Sequence, residues 1–325
     1  MSQYLVTRFY GFFLASFSLK IPARWHGLTL SSILLQCQPL SPAECWQQRL
    51  ADGMVQVDGV LCDREQRLTQ GQRLTYWVSD YIEPNVSNDW QMLWENDDFL
   101  AVDKPAGLPV SRTTRHPTQH LIGLVQQHGF VDAHLMHRLD AETAGVILLA
   151  KSKSVAQRWQ PRLPSLMVAK RYHAMVWGEP DWEHFRLECQ LKTRSDSVIR
   201  CQMHICRPDE VGQNSITRFQ VLERYGDTSL IACDLETGRK HQIRAHLAHL
   251  GYPIVGDKIY SSSGKFYLKR LSDDLTELDV QILGATHHLL HAYQLRLKLD
   301  QQQDPITITS QLSINKVVKK RISTN

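Results

Sequence analysis

The chain has 325 residues, 42% of them apolar and 22% charged, a balance that excludes disorder and supplies apolar surface for more than one core. At this length one large domain plus a smaller accessory one is expected, since domains usually run roughly 100 to 200 residues. The formal charge of +4 permits an anionic partner without demanding one. Of the 37 basic and 33 acidic residues, the first ninety positions hold seven and eight, so any grip on an anion is expected in the later part.

From the N-terminus, Arg8 precedes an apolar run from Phe9 to Leu19. The run has the charged and apolar regions of a signal peptide but no clear cleavage site, and Ser16 and Ser18 give it a strand-like alternation; the expectation is a buried strand or an N-terminal extension. No segment reaches the ~18 uninterrupted apolar residues needed to span a bilayer. Pro42 to Leu50 reads as a short helix capped by Ser41, and Met54 to Val57 as a strand. Asp58-Gly59 signals a hairpin, and Arg73 to Val78 reads as another strand. Turn and breaker residues from Ile82 to Asp89 mark the best interdomain linker. The expected organisation is therefore a small α/β module over 1–83, a linker over 84–90 and a catalytic-size domain over 91–325.

The larger part opens with Phe99 to Val102 as a strand running into a Lys104-Pro105-Ala106-Gly107 turn. Gly145 to Ala150 is an apolar run of strand length. Ser154 could cap a helix through Arg162, Tyr172 to Trp177 alternates, and Arg239 to Leu250 reads as a helix with Gly251 at its C-cap. Many strands with few helices in mixed order imply an α+β domain around a central mixed or antiparallel sheet flanked by helices.

Three stretches could carry chemistry. His137-Arg138-Leu139-Asp140-Ala141-Glu142-Thr143-Ala144-Gly145 puts a carboxylate in a polar loop just before a buried strand, a rigid base for a catalytic group; taken alone, Asp140 reads more readily as a turn or cap residue. Lys170 to Gly178 puts Tyr172, Ala174 and Val176 on one strand face, so Tyr172 either faces a cleft or fills the core. In Glu236 to His246, Arg239, Lys240 and Arg244 gather near a helix N-terminus, where anions are favoured, although a solvated basic face would look the same.

In order and spacing these stretches resemble the core motifs of the RluA-like RNA pseudouridine synthases. Leu93 to Val110, Gly251 to Asp257 and His288 to Leu295 extend the resemblance, which covers about two hundred residues. It implies a pseudouridine synthase catalytic domain, an isomerase with Asp140 as the essential aspartate, Tyr172 against the target uracil and Arg244 paired with the aspartate. Arg138 would help hold the target nucleotide out of the RNA stack, and His137, Arg239, Lys240, His241, Lys104 and Lys170 are candidate RNA contacts. Two departures are Ala144, where the family usually has serine, and Ser111-Arg112, where His-Pro is common. The N-terminal module resembles, over about forty residues, the alpha-L RNA-binding module, with Pro42 in place of an arginine and Asp58 in place of an asparagine.

The expected partner is a structured RNA, a ribosomal or transfer RNA stem-loop, with no membrane and a monomeric enzyme. The isomerisation has no redox change and adds no outside group, so no cofactor is expected. His287, His288 and His291 could suggest a metal, and Cys201 to Cys206 likewise, but neither spacing is convincing. Seven cysteines without a CxxC (Cys37, Cys45, Cys62, Cys189, Cys201, Cys206 and Cys233) fit a reducing cytoplasm. The alternative of a different class is a non-catalytic RNA-binding or ribosome-assembly factor that kept the fold.

Overall fold

The computed structural model describes residues 7–9, 12–37, 43–62, 65–79, 83–113, 115–299 and 304–312. They divide into two compact units: one made of the described residues up to Pro84 with 113–118 and 271–273, the other of the remainder.

The first unit contains β1 (Thr7–Phe9), β2 (Phe12–Lys20), α1 (Leu30–Cys37), α2 (Ala43–Ala51), β3 (Val55–Val57), β4 (Val60–Leu61) and β5 (Arg73–Ser79). The strands form one sheet in the order β1-β2-β5-β3-β4. From Phe12 onward the N-terminal apolar run is thus a strand, β2, paired with β5 from Leu14 opposite Ser79 to Lys20 opposite Arg73, while Phe9 belongs to β1. Its polar alternate is used inside, where the Ser18 hydroxyl accepts from Thr75 at 3.1 Å. Phe17 stacks on Tyr76 with ring centres 5.2 Å apart, and Trp46 meets Tyr76 edge-on at 5.2 Å, an aromatic cluster within this small core. Asp58 and Gly59 have φ of 53° and 83°, the positive pair a two-residue hairpin requires. The Asp58 carboxylate also accepts the Arg73 N–H at 2.7 Å. The expected cap Ser41 and helix start Pro42 lie outside the described residues.

The second unit contains β6 (Gln91–Glu95), β7 (Phe99–Lys104), α3 (Leu121–Gln127), β8 (His134–Leu135), β9 (Ala144–Ala150), α4 (Lys153–Trp159), α5 (Leu163–Leu166), β10 (Met167–Trp177), β11 (His184–Thr193), β12 (Met203–Ile205), β13 (Gln213–Arg224), β14 (Thr228–Leu235), α6 (Gln242–His249), β15 (Leu290–Leu297) and β16 (Ile306–Thr309). Its sheet has eleven strands, in the order β12-β11-β13-β14-β10-β15-β9-β7-β6 with β16 on β15 and β8 on β9. The β9–β15 pair is parallel and the other pairs are antiparallel, so the sheet is mixed as expected. The continuous apolar run of β9 is explained by burial on both faces. Ile147 and Leu149 join one core with Leu100, Val102, Tyr172 and Ala174, while Val146, Leu148 and Ala150 join another with Phe99 and Ala101. Gly145, with φ 108°, is demanded by the parallel crossing: a Cβ there would lie 2.2 Å from the Ala292 carbonyl oxygen.

Two expected boundaries are corrected. The cap of α4 is Ser152, not Ser154: Ser152 has the extended backbone of an N-cap and accepts the Val155 N–H, leaving Ser154 inside the first turn. The helix expected from Arg239 starts at Gln242, because His241 takes a left-handed φ of 52° that breaks the helical run. Among the described residues no helix is long and apolar enough to cross a membrane, and no group of three His, Cys, Asp or Glu is placed to hold a metal ion. His288 and His291 bond instead to Thr143 at 2.8 Å and Ser310 at 2.7 Å.

Candidate active site

Asp140 sits in the loop between β8 and β9, and the loop is tied down on each side of it. The Lys104 ammonium donates to the carbonyl oxygens of Pro105, Leu108 and Ala141 at 2.8–2.9 Å. His137 Nε2 accepts the Leu148 N–H at 3.0 Å. Glu142 receives Lys258 and Arg270 at 2.7–3.0 Å and the His288 N–H at 3.2 Å. The carboxylate of Asp140 therefore stands on a backbone with little freedom, a requirement for a group that must meet a reacting atom.

Arg244, in the first turn of α6, supplies the counter-charge. Nη1 donates to Asp140 Oδ2 at 2.7 Å, while Nε and Nη2 grip Asp257 in a fork at 2.6 and 2.9 Å. Asp257 is wholly buried and also accepts the backbone N–H groups of Ile259 and Tyr260. The Tyr260 ring lies 5.2 Å from the guanidinium carbon. A buried guanidinium held by a fork and a ring cannot swing, so its remaining N–H fixes Asp140 in turn. Burial raises the Asp140 pKa, but Arg244 first and then His241 and His288 outweigh it, leaving the carboxyl below its ordinary range. Both histidines are themselves held near pKa 4 by burial and by Arg244; they are neutral at physiological pH, where Arg244 carries the effect.

Tyr172, on β10, lines the same cleft with Arg138, Leu139, Thr143, Leu235, Arg239, His241, Gln242, Ile243 and Leu290. The cleft is partly open to solvent, with a free volume of about 70 Å³. Burial and the Asp140 charge push the Tyr172 phenol upward, so it is neutral. His241 Nε2 is 3.7 Å from Asp140 Oδ1, and its Nδ1 is 3.1 Å from the Tyr260 hydroxyl. That hydroxyl also accepts the Met203 N–H at 2.9 Å, and in the His241 tautomer protonated at Nε2, on the Asp140 side, it can donate its own proton to Nδ1. A left-handed backbone at a non-glycine residue is strain of the kind functional sites retain.

The sequence-nominated residues thus divide. Asp140, Tyr172, Arg244, Arg138, Arg239 and His241 share the cleft, and Lys240 is exposed beside it. Lys104 is not an RNA contact: it is fully buried, its three donors spent on carbonyls. His137 also turns inward, its ring nitrogen committed to β9 and its pKa held near 4 by burial. Residues given no role from sequence are Asp257, Tyr260 and the Glu142, Lys258 and Arg270 cluster. Asp257 belonged to a quoted motif, yet its partner lies thirteen residues away across a turn.

Residues 98–249 match the family described as RNA pseudouridylate synthase. A protein of Synechocystis sp. described as an uncharacterized RNA pseudouridine synthase is 30% identical over 278 residues, 84% of this chain and 93% of that protein. The mitochondrial tRNA pseudouridine(32) synthase of Saccharomyces cerevisiae is 30% identical over 241 residues, 74% of this chain and 52% of that one. Human RNA pseudouridylate synthase domain containing 1 superposes with a TM-score of 0.54 over 74% of this chain and 98% of its own, at 22% identity, which speaks to fold alone.

Proposed function

The chain belongs to the RluA-like RNA pseudouridine synthases, isomerases of RNA uridine, and on that premise we propose that Asp140 is its catalytic carboxylate, Tyr172 the ring beneath the target uracil and Arg244 the cation that keeps Asp140 ionised. The reaction breaks the N1–C1′ bond, turns the base and joins C5 to C1′. A carboxylate serves it either by attacking C1′ or by removing a ribose proton to give a glycal. Both roles need an anion with an open lone pair. The observation that carries the reading is Arg244, which is forked onto Asp257 and through Nη1 holds Asp140 Oδ2 at 2.7 Å, while the Asp140 side chain stays 31% exposed.

The uracil must first leave its stack, at a cost of a few kcal/mol, and a ring beneath it offsets part of that cost. Arg138, exposed at the cleft rim, is suited to hold the nucleotide outside, with Lys170, Arg239, Lys240 and His241 as further contacts. The substrate we propose is a structured ribosomal or transfer RNA stem-loop, met in a reducing compartment such as the cytoplasm. All the groups named come from one chain, so a monomer suffices. We keep 1–83 as an RNA-binding-like module, 84–90 as linker and 91–325 as the catalytic domain.

Tritium release tests the activity. RNA carrying 5-tritiated uridine, made in cells lacking the gene, should lose tritium in a single turnover with the protein, and should do so in EDTA. A non-catalytic RNA-binding factor would release none.

A further inference from the structure

Side chains alternate along β10, so Lys170 shares a side of the strand with Tyr172, about 7 Å away at two residues. Beside it β14 pairs with Arg171 opposite Asp234, and the next residue, Leu235, lines the cleft. The Lys170 ammonium lies over Gly238, where an added Cβ would be 3.4 Å from Nζ. Arg239 follows, its Nε donating to the Asn214 carbonyl at 3.0 Å. Burial, and then the Arg239 charge, hold Lys170 below its ordinary pKa. Among the described residues Lys170 has no hydrogen-bond or ion-pair partner.

The surrounding sheet treats its cations otherwise. Arg171 is forked onto Asp234 at 2.7 Å, while Arg218 meets Glu236 through Nε at 2.6 Å and Arg224 meets Glu183 through Nη1 at 2.7 Å. One residue from a fully paired arginine, a half-buried ammonium lies within electrostatic reach of a second cation and bonds to no carboxylate among the described residues. Such a pair is unfavourable until an anion arrives.

We propose that Lys170 and Arg239 form a seat for one RNA backbone phosphate beside the target nucleotide. This rests on the reading of the cleft as a pseudouridine synthase site. A phosphodiester answers both partners, since Lys170 meets it as a point charge and Arg239 through its remaining guanidinium donors. Its distance from Tyr172 places that phosphate next to a nucleotide stacked on the ring, so the seat positions the flipped residue as well as adding affinity.

The test uses the full chain with bulk transfer and ribosomal RNA, following affinity against salt and tritium release together. Lys170→Met should flatten the slope of log affinity against log salt by about one unit. It should raise KM roughly tenfold with kcat within a few-fold. Arg239→Gln should act in the same direction, and Lys170→Arg should keep both parameters near wild type. Because Lys170 has no partner to lose, Lys170→Met should melt no lower than wild type. An unchanged slope in folded Lys170→Met overturns the proposal, as does an equal loss from Lys153→Met, an exposed lysine on α4. Absence of tritium release from the wild-type chain would instead sink the reading of the cleft, which the salt slope does not report.

Discussion

Asp140 and Glu142 stand two residues apart in one loop, yet the protein treats them as opposites. Glu142 is 15% exposed and surrounded: two cations and a backbone N–H converge on it. Burial raises its pKa, but His288, Lys258 and Arg270 outweigh that and bring it down to about 2. Asp140 is 31% exposed, held on one oxygen by Arg244, with the other facing His241 and the cleft. Both carboxyls are shifted downward, and the group suited to chemistry is the one left partly unsatisfied. Perturbed titration thus points to the neighbourhood of a site, while spare hydrogen-bonding capacity points to the residue.

The sharpest way to break this comparison is to neutralise each carboxylate in turn. Asp140→Asn should lower the single-turnover rate by at least about a thousandfold, with RNA affinity within a few-fold and little change in melting, because Arg244 keeps its fork on Asp257. Glu142→Gln should do the reverse. Leaving Lys258 and Arg270 without their shared anion should cost about 3 kcal/mol or more of stability, seen in urea titration, while the folded fraction retains measurable turnover. If Asp140→Asn melts as early as Glu142→Gln, or Glu142→Gln turns over as poorly as Asp140→Asn, the division of roles is wrong.

The sequence made one half of this contrast readable. Asp140, Tyr172 and Arg244 stand in motifs whose order carries the family resemblance, and the apolar run of β9 announced the rigid base below the loop. Glu142 was in the same quoted motif but invisible as an anchor, since Lys258 and Arg270 lie more than a hundred residues away and only the fold brings them to it. Lys104 was misjudged for a related reason: a lysine beside a turn looks exposed until three carbonyls are seen to close over it. The N-terminal boundary of α6 was missed because the left-handed backbone at His241 has no local marker comparable to glycine.

Acid sharpens the comparison further. His137, His241 and His288 are each held near pKa 4, by burial first and then by Lys170 for His137 and Arg244 for the other two. In the unfolded chain they titrate near 6.5. Between these values the unfolded state binds more protons, so stability falls as pH drops from about 6.5 toward 4, by up to about 1.4 kcal/mol per pH unit for each histidine. Glu142 contributes below that window, since its stabilisation is lost as pH falls from about 4.5 toward 2. Urea midpoints from pH 7.5 to 4.5 should decline most steeply below about 6.5, with His173 and His246, also held near 4 by burial, adding to the fall. A flat profile to pH 4.5 would mean the histidines are not buried neutral around the loop.

The smallest expected effect isolates what burial adds to an ion pair. Glu183 meets Arg224 at 2.7 Å, as close as Arg270 meets Glu142, but Glu183 is 68% exposed. Water already solvates both partners there, and salt screens them, so pairing contributes at most about 1 kcal/mol. Arg224 also donates to the carbonyl oxygens of Pro180 and Trp182, which hold it in place without the glutamate. Glu183→Gln should therefore shift the urea midpoint by much less than Glu142→Gln, and by less still in 0.5 M salt. A loss comparable to that of Glu142→Gln would show that contact distance, not burial, sets the cost of removing a carboxylate here.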